Sequence, residues 1–191
     1  MFAAALAAAF LAAATGTSAP LDAAACEAIP GAPDEGPRFE DPDGVFAMNL
    51  PSSWVQKERG TLGMSEAEAT AHGSRAAFDL RQGDIHRMLN ARVVQPIGTR
   101  EQDVGRLNGG LAFGLGKTVT LQGAPCIWAQ SQGKGHAREQ SLVCDVKVQG
   151  TPARFVIDLV YLDTDTCNHG LELQSIVRSL KWGAGVTPGA K

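Results

Sequence analysis

The chain has 191 residues, 44% of them hydrophobic and 19% charged, and its 17 basic and 20 acidic side chains leave a formal net charge of −3. That balance excludes a disordered chain, a polytopic membrane protein, a collagen-like repeat and a basic nucleic-acid binder, each of which needs a strong departure in hydrophobicity, Gly/Pro content or charge. It fits one globular domain.

Part of the apolar fraction lies in an alanine-rich N-terminus. No charged side chain occurs between Met1 and Leu21, and Phe2 to Ala14 form a continuous apolar run of 13 residues. That is the length of a signal-peptide core and short of the ~20 residues a membrane-spanning helix needs. Small residues suited to cleavage follow at Thr17-Ser18-Ala19 and Ala23-Ala24-Ala25. Residues 1–25 are therefore expected to be an export signal. The mature chain is then periplasmic or secreted, with no transmembrane domain. An alternative makes Cys26 a lipid-modified N-terminus, although the bacterial lipobox takes a large aliphatic residue where Ala23 stands.

Residues 26–37 are rich in proline and glycine and read as an arm. A first strand is predicted over Val45 to Leu50, with Phe46, Met48 and Leu50 on its core face. Pro51 breaks it, and Trp54-Val55 starts a short extended piece. Ser65-Glu66-Ala67-Glu68 has the form of a capping box, and Gly73 ends the helix it opens. Strands are expected over Arg75–Leu80 and Met88–Gln95, where Leu89, Ala91 and Val93 alternate with Asn90, Arg92 and Val94. Thr99-Arg100-Glu101-Gln102 opens a second helix carrying Val104, Leu107 and Leu111 on one face, and the glycines from Gly109 to Gly116 loosen it. Further strands are predicted at Val119–Leu121, Pro125–Gln130, Ser141–Val148 and Arg154–Leu162, successive hairpins of an antiparallel meander. Leu173, Ile176, Val177 and Leu180 recur at helical spacing behind a plausible cap at Asn168. Residues 183–191 carry no core signal and read as a flexible tail. The fold class is α+β, a central antiparallel sheet with helices packed on one side of it.

The four cysteines are Cys26, Cys126, Cys144 and Cys167. An even number in an exported chain favours disulfides. If the hairpin folds about Gly135, residues whose numbers sum to 270 face each other, as those of Cys126 and Cys144 do. Cys26 and Cys167 then pair by elimination.

No motif gives an activity. Gly110 to Thr118 looks like a phosphate loop, but the position that needs its first glycine is Leu111, and a helix precedes it where a strand is required. Ala129-Gln130-Ser131-Gln132-Gly133 matches a relaxed nucleophile elbow, yet an elbow leads into a helix and this one leads into a hairpin. Asp163-Thr164-Asp165 starts like a calcium loop but lacks its glycine and its closing glutamate. His72, His86, His136 and His169 have no ligand spacing. No catalytic residue, metal or cofactor is expected.

The stretch Phe39-Glu-Asp-Pro-Asp-Gly-Val-Phe-Ala-Met-Asn-Leu-Pro-Ser-Ser-Trp54 resembles the opening of PsbP/Mog1-like domains, and Leu171-Glu-Leu-Gln-Ser-Ile-Val-Arg-Ser-Leu-Lys181 resembles their terminal helix. The resemblance covers residues 38–182, which are taken as the single domain. It implies an α/β sandwich and a binding or assembly factor rather than an enzyme. The function expected is a monomeric, exported, non-enzymatic binding domain whose partner is an envelope protein or a small ligand, not nucleic acid. Trp54, Ser131, Lys134 and His136 are candidate contacts, because function concentrates at connections. The alternatives are a small periplasmic hydrolase using Ser131, or a lipoprotein anchored through Cys26.

Overall fold

The computed structural model describes residues 37–57, 65–82, 85–107, 113–131, 138–161 and 167–189. The chain runs β1 (Arg38–Glu40), β2 (Phe46–Asn49), β3 (Val55–Lys57), α1 (Glu66–Ala71), β4 (Ser74–Gln82), β5 (Ile85–Val94), α2 (Arg100–Leu107), β6 (Phe113–Leu121), β7 (Ala124–Ser131), β8 (Arg138–Val148), β9 (Thr151–Tyr161), α3 (Cys167–Ser179), β10 (Lys181–Trp182) and β11 (Val186–Pro188).

The large sheet has the order β3-β4-β5-β9-β8-β7-β6, all pairs antiparallel, and β11 adds to β8. Local turn chemistry sets much of it. Gln122-Gly123 and Gln149-Gly150 both take positive φ at two consecutive residues, the left-handed pair that lets a two-residue turn follow the twist of its strands. Leu121 therefore faces Ala124, and Val148 faces Thr151. The β7–β8 pair holds the register expected about Gly135, from Cys126 opposite Cys144 to Gln130 opposite Gln140. Pro152, without an N–H to donate, pairs with β8 at a point on β9 where the β5 ladder has already ended.

Alternation gives the sheet two unlike faces. On the first, Phe78, Leu89, Ala91, Leu142, Cys144, Phe155, Ile157 and Leu159 join Leu173, Ile176, Val177 and Leu180 of α3 and Phe46, Met48 and Leu50 of the small sheet β1-β2-β10. Phe39, Phe46, Phe155 and Trp182 carry a run of ring contacts with centroids 5.0–5.7 Å apart. Ser179 Oγ accepts the Asn49 amide at 2.8 Å, tying α3 to β2. On the second face, Val104 of α2 packs with Ile127, Ala129, Val143 and Val156.

Five expectations need correction. The helices do not share one side, because α2 packs on the face opposite α3. Both faces of β2 are covered, since Val45 and Ala47 are buried beside Phe46 and Met48. Gly114 and Gly116 belong to β6, and a side chain on Gly116 would stand 3.1 Å from the Trp128 backbone carbonyl oxygen across the ladder. Asn168 lies inside α3 rather than capping it. The segment read as a flexible tail is strand β11 over Val186–Pro188, with Val186 buried. One apolar residue leaves no periodicity to read, so only the vacant edge of β8 beyond the end of β7 explains that strand.

Candidate functional site

The second face carries a polar cluster beyond the residues packed on α2. Asn90 of β5 faces Asp158 of β9, and Asp158 faces Ser141 of β8, so three strands place these side chains in one row. Opposed residues of an antiparallel pair share a face. Arg92 lies one row away on β5, and Glu139 one row away on β8 in the other direction. Asp158 and Ser141 are 3% and 0% exposed. The Arg92 guanidinium binds Asp158 Oδ2. Asp158 Oδ1, Ser141 Oγ and Arg92 Nε are buried without a hydrogen-bond partner. Burial pushes the Glu139 carboxyl up from its ordinary 4.5 to about 7, the Asp158 charge adds to the rise and Arg92 opposes it. Two carboxylates beside one guanidinium are electrostatically suited to holding a proton.

A second network anchors α2. Thr99 caps the helix, its hydroxyl accepting the Gln102 amide at 3.2 Å while Gln102 Oε1 accepts the Thr99 amide at 2.8 Å. Arg154 of β9 donates to Asp103 at 3.2 Å and to the Gly98 carbonyl at 3.1 Å, and pairs with Asp145, which Arg100 also approaches at 3.4 Å. These bonds hold helix, preceding loop and sheet together. A third group, on β4 and β5, joins Asp79 to His86 Nε2 and to Arg81 Nε, each at 3.0 Å. Among the described residues no three or more His, Cys, Asp and Glu side chains gather as a metal site.

The sequence candidates separate. Cys126 and Cys144 form a disulfide with Cα atoms 4.0 Å apart, both fully buried. Trp54 is 4% exposed within the main core, which corrects its reading as a contact residue: the indole fills the interior rather than meeting a partner. Ser131 ends β7, and its side chain lies outside the described residues, as do Cys26, Lys134 and His136 entirely and the Cys167 side chain. The Cys26–Cys167 pairing falls there too. The strand order puts Ser131 three strand spacings from His86, roughly 14 Å. The chain from Gly116 to Thr118, the glycine-lysine-threonine of the apparent phosphate loop, is strand.

Reading the sequence missed Glu139, Arg92 and Asp158 as a group. Asp158 stands between Ile157 and Leu159 in an alternating strand, which points it away from the core. Its neighbours depend on the β5–β9 pairing, and the local pattern carries no trace of that pairing.

No protein-family model and no curated protein matches the chain. Solved structures do. A Mog1 point mutant is similar at TM-score 0.52 and 11% identity, over 77% of this chain and 95% of that one. The cyanobacterial PsbP of Synechocystis gives 0.48 at 12%, over 76% and 91%. LpqN, described as involved in cell envelope biogenesis of Mycobacterium tuberculosis, gives 0.48 at 16%, over 81% and 87%. Identities this low establish likeness of fold alone: the chain has a PsbP/Mog1-like α/β sandwich.

Proposed function

We propose that this protein is an exported, non-enzymatic binding domain of the bacterial envelope. The Cys126–Cys144 disulfide carries the reading. It lies between two inner strands of the sheet with both residues at 0% exposure, and structural disulfides persist in oxidising compartments. The alanine-rich segment ahead of Cys26 supports export. Among the described residues no helix is long and apolar enough to cross a membrane. A binding role is favoured over hydrolysis because the next described element after Ser131 is strand β8, whereas a nucleophile elbow leads from a strand into a helix. With Trp54 in the core, the contact candidates that remain are Ser131, Lys134 and His136 near the β7–β8 connection.

The test is expression of the full chain in a bacterial host, followed by fractionation and intact-mass measurement without reductant. Loss of about 25 residues, recovery in the envelope fraction and no free thiol on Cys126 or Cys144 are expected. A full-length cytoplasmic product with reduced cysteines would overturn the reading. A diacylglyceryl mass on Cys26 would select the anchored form. Site-specific crosslinking from position 134 should then trap the partner, and serine-directed labelling abolished by Ser131→Ala would instead make the protein a hydrolase.

A further inference from the structure

We propose that Asp158, Ser141 and Arg92 form a binding site for one buried water molecule that bridges three neighbouring strands of the large sheet. Asp158 belongs to β9, and the strands on either side of it, β8 and β5, carry Ser141 and Arg92. Ser141 stands directly opposite Asp158, which brings their Cβ atoms to about 5 Å. Arg92 reaches the same carboxylate through its contact with Asp158 Oδ2. That contact uses one arm of the pair. A closed side-on fork would also join Arg92 Nε to Asp158 Oδ1, and both of those atoms are buried without a hydrogen-bond partner, as is Ser141 Oγ.

The three bare atoms ask for different things. An ionised Asp158 Oδ1 only accepts, Arg92 Nε only donates, and the Ser141 hydroxyl does either. A cation here would face the Arg92 guanidinium and an anion the Asp158 carboxylate, so neither sign of charge suits the group. A neutral molecule that donates and accepts at once satisfies all three. Water does so at the smallest size, and about three partners is the usual number for a buried one. It donates to Asp158 Oδ1, accepts from Arg92 Nε and takes either role with Ser141 Oγ. Each of these bonds satisfies a group whose burial would otherwise cost free energy.

The surroundings separate this water from bulk solvent. Asp158 and Ser141 are themselves buried. Ala129 lies opposite Ser141 on β7, and it packs with Val143 and Val156 against Val104 of α2 on the same face. A molecule held between polar atoms of three strands beside that apolar cluster is a long-lived part of the sheet, linking strands that backbone pairing joins only two at a time.

Two measurements on the full chain test this. A high-resolution crystal structure should show density for one water within about 3.2 Å of Asp158 Oδ1, Arg92 Nε and Ser141 Oγ. A closed Arg92–Asp158 fork with no density beside it overturns the proposal, and so does a peak at about 2.4 Å from the oxygens, the distance of a metal cation. Oxygen-17 relaxation dispersion of the solvent should count one long-lived water fewer in Ser141→Val, whose added methyl groups take the water's place, than in the wild type. Equal counts in the two proteins overturn the site. If Ser141→Val fails to fold, the density in the wild type still decides.

Discussion

Cys126 and Cys144 stand directly opposite each other on β7 and β8, joined by a disulfide that closes a loop of 18 residues around their hairpin. A cross-link of that span removes conformations from the unfolded chain and is worth about 3 kcal/mol. The Cys126→Ala/Cys144→Ala variant is expected to lose about that much, with a further penalty from the emptied core positions. Urea unfolding of the wild type with and without reductant separates the two contributions, and a midpoint indifferent to both reductant and substitution would refute the cross-link's role.

Arg154 offers a second test. Its side chain is 11% exposed and bridges Asp103 of α2 to Asp145 of β8. Arg154→Leu removes the cation that bridges the two carboxylates and leaves Arg100 beside Asp145, at an expected cost of about 3 kcal/mol. The loss should centre on α2. Amide exchange from Arg100 to Leu107 is expected to accelerate well beyond that of β8, and uniform acceleration would argue against the anchor.

Gly183 and Gly150 separate crowding from backbone strain. A Cβ on Gly183 would fall 1.6 Å from the Gly44 carbonyl oxygen, where the chain leaving β10 passes the entry to β2. Gly150 has a φ of +80° with open space around it. Gly150→Ala should cost about 1 kcal/mol, the price of a left-handed backbone for a residue with a Cβ. Gly183→Ala must displace backbone and is expected to cost well over about 2 kcal/mol. Thermal unfolding of both variants checks the order, and a reversed order would sink the crowding argument.

Glu68 provides a pH prediction. The Ser65 backbone N–H and then its hydroxyl hold the Glu68 carboxyl below its ordinary value. A lowered carboxylate stabilises above the unfolded pKa and loses that contribution as pH falls through the folded one. In a titration followed by NMR, Ser65→Ala should return the Glu68 midpoint towards the ordinary carboxylate value. An unchanged midpoint would mean that the Ser65 hydroxyl does not hold the Glu68 carboxylate in solution.

These residues also show where reading the sequence stops. Both capping boxes, Ser65 with Glu68 and Thr99 with Gln102, were legible because each is a contact between residues three apart. The pairing of Cys126 with Cys144 was legible because a hairpin's register is counted from its turn. Trp54 illustrates the opposite case. A tryptophan after a proline break gives no local sign of whether it faces partner or core, and the assembled sandwich buries it.

By itself, then, the sequence determined the class of fold, the strand faces and the local hairpins, since periodicity, caps and turn residues act over a few positions. Only the tertiary structure decided that α2 covers the face opposite α3, that Val186–Pro188 completes β8 past the end of β7, and that Arg92, Asp158 and Glu139 meet on one surface. The last depends on β9 returning to pair with β5, a contact some seventy residues apart in the chain whose energy lies in the joint burial of both strands and leaves no mark on either one alone.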